Sequence, residues 1–341
     1  MKHSIRFCLD SVSLVCFGLL MCISSISAEP LRVVSYNVEN LFHPKHDTII
    51  TNEGVNGLTN ERIIEKDDYE WTQEGERHWS YSRYWRKVEN IARVLTNIGE
   101  WQGVDVVGLQ EVENALCMRR LCRTMGVNKY DFVHYESPDP RGIDVALMYK
   151  KERVDTIQTR AIRIKPNPYP SLKGRELITR DILYVCAQVD KQDTIHFFVC
   201  HLPSQRGGKA ESEWKRKAAK EVLQKAIDSV YVVHSDAKIV VMGDMNSEPK
   251  DDLKGVRNKA LPSLEGKRKG THKYQGRWMC LDQFYISPAI DSISTMKIYD
   301  AEWIMETDEK YMGLKPKRTY YGWKYQNGYS DHLPIVLDIE L

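Results

Sequence analysis

The chain has 341 residues, 42% of them hydrophobic and 28% charged, with a formal net charge of +2. That balance excludes a disordered chain, a collagen-like repeat and a strongly basic nucleic-acid-binding protein, and it allows one large core.

Residues 1–28 read as a secretory leader. Lys2 and Arg6 give a positive start, 11–28 carry no charge, and Ser27 and Ala28 are small enough for a signal peptidase. Cleavage after Ala28 is expected, leaving a mature chain that begins at Glu29 and is exported, either periplasmic or secreted. The alternatives are a retained anchor helix, which the serines near the end of the run disfavour, and lipidation of Cys22, which Met21 disfavours. Five cysteines remain: Cys117, Cys122, Cys186, Cys200 and Cys280. They form neither a disulfide framework nor a zinc spacing. Cys186 and Cys200 read as core thiols, whereas Cys117 and Cys122 could pair in an oxidising compartment.

Short β-rich runs then recur along the chain. They are LRVVSYN (31–37), VDVVGLQ (104–110), DVALMY (144–149), DILYVCAQV (181–189), TIHFFVC (194–200), KIVVMG (238–243), LDQFYIS (281–287) and LPIVLDIEL (333–341). Several are continuously apolar, which predicts strands covered on both faces. Val88, Ile91, Ala92, Leu95 and Ile98 recur at helical spacing, as do Trp214, Ala218, Val222 and Ala226, so two amphipathic helices are expected. Strands and helices interleave with no linker, which reads as one domain over 29–341. Two stretches fit neither element. Residues 43–80 are acidic and tryptophan-rich, and 250–274 are basic; segments of this kind often rim an active site.

Polar groups collect where apolar runs stop. The first run ends in Asn37, the second in Gln110 and Glu111, the fifth in His201, and KIVVMG in Asp244 and Asn246. LDQFYIS carries an early Asp282, and Asp331 and His332 precede the last run. Singly, each has an ordinary explanation as a turn residue, a helix-start acid or a structural histidine. Six strand ends bearing only carboxylates, amides and imidazoles are harder to explain that way. Oxygen donors with few thiols suit a hard cation such as Mg²⁺ or Mn²⁺, with Glu111 the best ligand and Asn37 beside it. Asp244 and Asn246, two apart in an extended segment, would aim at one point. An acid that takes a proton from water, together with histidines facing a phosphoryl oxygen, describes metal-assisted hydrolysis of a phosphate ester.

The motifs SYNVEN, LQEVEN, RGIDVALMY, HLPSQRGG, GDMNSEP, LDQFYIS and YSDHLP, in that order, resemble the endonuclease/exonuclease/phosphatase superfamily over residues 31–341. That superfamily includes pancreatic deoxyribonuclease, abasic-site endonucleases, neutral sphingomyelinases and inositol-polyphosphate 5-phosphatases. The resemblance implies a four-layer α/β/β/α sandwich of two mixed sheets flanked by helices. It implies that Glu111, with Asn37, ligates Mg²⁺ or Mn²⁺ and that Asp331 supports the metal side. It makes Asp244 the activator of water and Asn246 the orienting amide. His332, held by Asp282, would contact the scissile phosphate, and His201 would be a second phosphate-facing histidine. Asp144 is expected to orient His201, and Arg141 to contact phosphate.

Cations in 254–273, and cations interleaved with Tyr320, Tyr321, Trp323 and Tyr325, suit a nucleic-acid strand. The expected partner is therefore a phosphodiester, nucleic acid first, acted on by a monomer that is not inserted in a membrane once the leader is cleaved. The alternatives are a phosphatase for a small phosphoester, a sphingomyelinase-like phosphodiesterase, or a non-catalytic binding protein on the same fold.

Overall fold

Eight apolar runs supply the interiors of two six-stranded sheets. The computed structural model describes residues 29–55, 58–165, 177–260 and 270–341; the leader and the cations Lys267, Arg268 and Lys269 lie outside the described residues. The first sheet runs, in spatial order, Ser294–Ile298, Ile335–Ile339, Leu31–Leu41, Val106–Val112, Asp144–Lys150 and Tyr130–His134. The second runs Arg257–Asn258, Asp282–Ile286, Lys238–Asp244, Asp193–His201, Ile182–Val189 and Val154–Ile162. Each sheet has one parallel pair at its centre: Leu31–Leu41 with Val106–Val112, and Asp193–His201 with Lys238–Asp244. A parallel pair needs a crossover, which the helices Tyr81–Gly99 and Lys209–Val233 provide.

Alternation along the strands sorts the side chains into three cores. Leu31, Val33, Val106, Leu147 and Leu337 of the first sheet face Ile195, Phe197, Val240, Met242 and Phe284 of the second. Val34, Tyr36, Leu109, Ala146 and Met148 point the other way, against Val88, Ile91, Leu95 and Leu121 of the helices Tyr81–Gly99 and Ala115–Met125. Phe198, Cys200, Val241 and Tyr285 meet Ala219, Leu223, Ile227 and Val230 of Lys209–Val233. This is the expected α/β/β/α sandwich of two mixed sheets. The sheets touch closely at Gly108, where an added Cβ would lie 2.7 Å from the Met242 sulfur.

Several details differ from the sequence reading. The helix Ala115–Met125 and the four strands at the sheet edges were not legible as elements. Cys117 and Cys122 are both buried free thiols on that helix. The tryptophans of 43–80 do not rim a site. Trp71 and Trp79 are buried with Phe42, and Trp79 Nε1 donates to the Phe42 carbonyl at 2.8 Å. In the basic stretch, Arg257 and Lys259 pair with Asp291 at 3.5 and 2.9 Å. Among the described residues no helix is long and apolar enough to cross a membrane.

Candidate active site

Three strands of the second sheet deliver one polar row. Asp244 stands in register with His201 on one neighbour and with Asp282 on the other. Each continues an inward-facing set: Ile195, Phe197 and Val199 lead to His201, Val240 and Met242 to Asp244, and Phe284 and Ile286 to Asp282. The period of two thus carries three ionisable groups onto a face that is elsewhere apolar core. Gly243 makes this possible. Its φ is +141°, and an added Cβ would stand 1.9 Å from the Cys200 carbonyl oxygen.

The first sheet adds two groups. Asn37 faces inward like Leu31 and Val33, and its Nδ2 donates to Asp244 Oδ2 at 3.2 Å, joining the sheets. Glu111 sits at a register shift between Gln110 and Val112 with φ +65°. A bulge of this kind re-aims a side chain that simple alternation would send outward. Glu111 Oε2 accepts from the Asn40 N–H at 3.0 Å, and Oε1 lies 3.9 Å from His201 Nε2.

Electrostatics divides the two histidines. His332 Nδ1 bonds Asp282 Oδ2 at 2.7 Å, and its Nε2 stands 3.9 Å from Asp244 Oδ2. Burial opposes the charge on His332, but Asp282 beside it, then Asp244 and Asp331, hold its pKa well above 6.5. His201 moves the other way: burial, then the cations Arg180 and Arg141, then His332 push it well below 6.5. Asp244 lies 3.6 Å from His201 Nε2 but does not offset this, because its own carboxyl is raised, chiefly by burial, to about 7. At neutral pH the site therefore holds an imidazolium at His332 and a neutral imidazole at His201.

The remaining expected residues fall in different places. Asn246 does not extend the alternation. The chain turns after Asp244, with φ +49° at Asn246; its N–H caps Asp244 Oδ1 at 2.8 Å and its amide Nδ2 donates to the Leu202 carbonyl at 2.9 Å. Asn246 thus fixes Asp244 and the His201 turn. Asp331 accepts from Arg318 NH2 at 3.0 Å; burial would raise its carboxyl, but Arg318 and then His332 and His272 bring it down to about 2. Arg141 is half-exposed beside Asp139, close enough to His201 to act on its charge. Asp144 does not orient His201. Its Oδ1 accepts from the Ser137 N–H at 3.0 Å, its Oδ2 faces His134 Nε2 at 3.4 Å, and His201 Nδ1 has no hydrogen-bond partner.

Three supporting residues were missed. Arg180 donates to the His201 and Leu202 carbonyls at 3.2 and 3.0 Å and to Asp139 at 2.6 Å, so it clamps the turn carrying His201. Arg318 bridges Asp331 and Glu39. Buried Lys87 donates to Thr319 Oγ1 and the Tyr329 carbonyl at 2.5 and 2.6 Å, and burial lowers it to about 8. A lone buried Arg or Lys has no local sequence signal; only consecutive left-handed φ values at Glu39 and Asn40 mark this corner as unusual, and those are visible only in three dimensions.

The donors suit a hard divalent cation. Glu111, Asn37 and Asp331 offer oxygen donors, and the bulge turns Glu111 toward them. His272, Asp331 and His332 also bring one donor atom each within 4.8 Å of the others.

No curated protein matches the chain. A family model described as "Endonuclease/Exonuclease/phosphatase family" matches residues 32–341. Among solved structures, truncated Caenorhabditis elegans TDP2 is 14% identical, with a TM-score of 0.57 over 91% of this chain and 97% of that one. The catalytic domain of human Nocturnin with bound sulfate is 17% identical, with a TM-score of 0.52 over 91% and 94%. A Bacteroides thetaiotaomicron mannosyl-6-phosphatase is 14% identical, with a TM-score of 0.52 over 91% and 99%. At such identities these structures speak for the fold, while the family model spans nearly the whole described chain. The chain belongs to the endonuclease/exonuclease/phosphatase family, whose members are divalent-metal-dependent phosphoesterases.

Proposed function

We propose that the protein is an exported phosphodiester hydrolase, dependent on Mg²⁺ or Mn²⁺, that attacks phosphorus with water and prefers a nucleic-acid type of diester. The observation that carries this reading is the single row His201–Asp244–Asp282, closed by His332 and Asn37. Glu111, with Asn37 and Asp331, would hold the cation, which supplies Lewis-acid neutralisation of phosphoryl oxygens. Asp244 takes the proton from water. A carboxyl near 7 is a competent base at neutral pH, and Asn37 Nδ2 and the Asn246 N–H hold its two oxygens in place. His332, charged and aimed by Asp282, stabilises the negative charge that grows on the phosphoryl group. His201 offers a neutral imidazole on the opposite flank.

The surroundings support a substrate that extends on both sides of the phosphate. A cleft of about 270 Å³ beside Asp331 and Arg318 is lined by Lys273, Tyr274, Tyr311 and Tyr321. Arg141 lies on the His201 side. Tyr321 and Trp323 are exposed, as stacking surfaces must be. A phosphatase for a small phosphoester is the second reading. It is favoured by the pairing of Arg257 and Lys259 with Asp291 and of Lys273 with Asp308, which removes cations from a polynucleotide track.

A panel decides between them. Purified protein from Glu29, with Mg²⁺ or Mn²⁺, is assayed on plasmid DNA, RNA, bis-p-nitrophenyl phosphate, p-nitrophenyl phosphate, sphingomyelin and sugar phosphates. Faster turnover of diesters supports the first reading; a monoester as the better substrate replaces it with the second. Intact mass of the native protein tests export, with a chain retaining Met1 or carrying lipid on Cys22 counting against it.

A further inference from the structure

We propose a second metal site, formed by His134, Glu136 and Asp144 and suited to Zn²⁺ or a similar borderline divalent cation. His134 ends an edge strand opposite Ala146, and Asp144 lies two residues before Ala146 on the neighbouring strand, which brings the two side chains together. Their side chains are each 2% exposed, and His134 Nε2 and Asp144 Oδ2 face each other at 3.4 Å. Neither atom has a hydrogen-bond partner. A buried imidazole and carboxylate left this way are costly unless something lies between them.

The spacing indicates what that is. A charge-assisted N–H···O bond would close to about 2.7–2.9 Å. Two ligands each about 2.0–2.1 Å from a tetrahedral Zn²⁺ stand ~3.4 Å apart. Glu136 supplies the third donor, with one ligand atom from each residue lying within 4.8 Å of the others. Outer support is present. The Ser137 N–H donates to Asp144 Oδ1 at 3.0 Å, its hydroxyl donates to the same oxygen, and Lys66 Nζ lies 2.9 Å from Glu136. One imidazole and two carboxylates differ from the oxygen donors of Glu111, Asn37 and Asp331, so the two sites should separate by metal type. The turn that follows carries Asp139 and Arg141, and a cation here would anchor it.

The test uses the Glu111→Gln/His272→Gln protein as background, to remove the main catalytic ligand and break the His272–Asp331–His332 group beside it. Zn²⁺ is titrated by calorimetry and Co²⁺ by visible absorption. The background protein should bind one equivalent at the proposed site. Adding His134→Gln or Glu136→Gln should weaken that binding by at least about tenfold. Glu136 is at the surface, so Glu136→Gln tests the site even where His134→Gln disturbs folding; circular dichroism and thermal melts monitor both. Uptake of Zn²⁺ and Co²⁺ unchanged by Glu136→Gln, and by a folded His134→Gln, would overturn the proposal.

Discussion

Gly243→Ala is the sharpest perturbation of the polar row. The added Cβ would stand 1.9 Å from the Cys200 oxygen and 2.8 Å from its carbonyl carbon, both backbone atoms that cannot rotate away. The strand Lys238–Asp244 must therefore shift from Asp193–His201 where they are in register, by on the order of 1 Å to restore ordinary contact. An L-residue at positive φ costs about 1–2 kcal/mol, and overpacking a further ~1–3 kcal/mol, so destabilisation of roughly 2–5 kcal/mol is expected. The same shift moves Asp244 relative to His201 and His332, and a misplacement of about 1 Å in an active site lowers turnover by on the order of a hundredfold. Gly313→Ala is the control: φ is +73°, but no atom lies within 4 Å of its added Cβ. It should cost only the backbone strain and leave turnover of bis-p-nitrophenyl phosphate unchanged. Urea melts and steady-state kinetics on both variants measure the two effects. Gly243→Ala as stable and as active as Gly313→Ala would refute the geometric role assigned to this strand.

Asp282→Asn should lower turnover by on the order of a hundredfold, and Asp282→Asn/His332→Ala should be little worse than His332→Ala alone; fully additive losses would deny the pairing. Because the folded pKa of His332 lies above 6.5, its charged form stabilises the protein fully below pH 6.5, and this contribution is lost as pH rises through the folded value. Asp282→Asn should accordingly flatten the alkaline limb of stability against pH in thermal melts. EDTA should abolish hydrolysis and Mg²⁺ or Mn²⁺ restore it, and Glu111→Gln should weaken the restoring metal's apparent affinity with melts unchanged. Arg180→Ala removes the buried clamp on the His201 turn and leaves Asp139 with only the half-exposed Arg141, so a loss of about 3 kcal/mol of stability is expected by denaturant titration.

What the sequence disclosed follows burial. The eight strands read from it include all the interior strands of both sheets, where two covered faces demand continuous apolar runs. Within these two sheets the four missed strands, Tyr130–His134, Val154–Ile162, Arg257–Asn258 and Ser294–Ile298, are the edges; the separate two-stranded ribbons, such as His272–Tyr274 with Arg277–Met279, were missed as well. Val154–Ile162 shows why: after Val154 its residues are exposed or half-buried, so its composition matches a loop. The helix Ala115–Met125 hid because Cys117, Met118, Leu121 and Cys122 make a short apolar stripe between arginines. The polar row was legible because each member ends an apolar run, so His201, Asp244, Asp282, Asn37 and His332 converge as the motifs implied. Register, bulges and faces were not. Asp144 was expected to orient His201, yet its carboxylate meets Ser137 and His134 instead. Glu111 reaches the site only through a left-handed residue that no local pattern announces.

The most direct test of the central claim is hydrolysis of bis-p-nitrophenyl phosphate in ¹⁸O-labelled water, by the wild type and by Asp244→Asn, with Mg²⁺ present. Asp244 acting as base to a water that attacks phosphorus should place the label in the phosphate product, with the rate lost in Asp244→Asn while its melt stays cooperative. Label in the phenol, or a folded Asp244→Asn that turns over like the wild type, would contradict it.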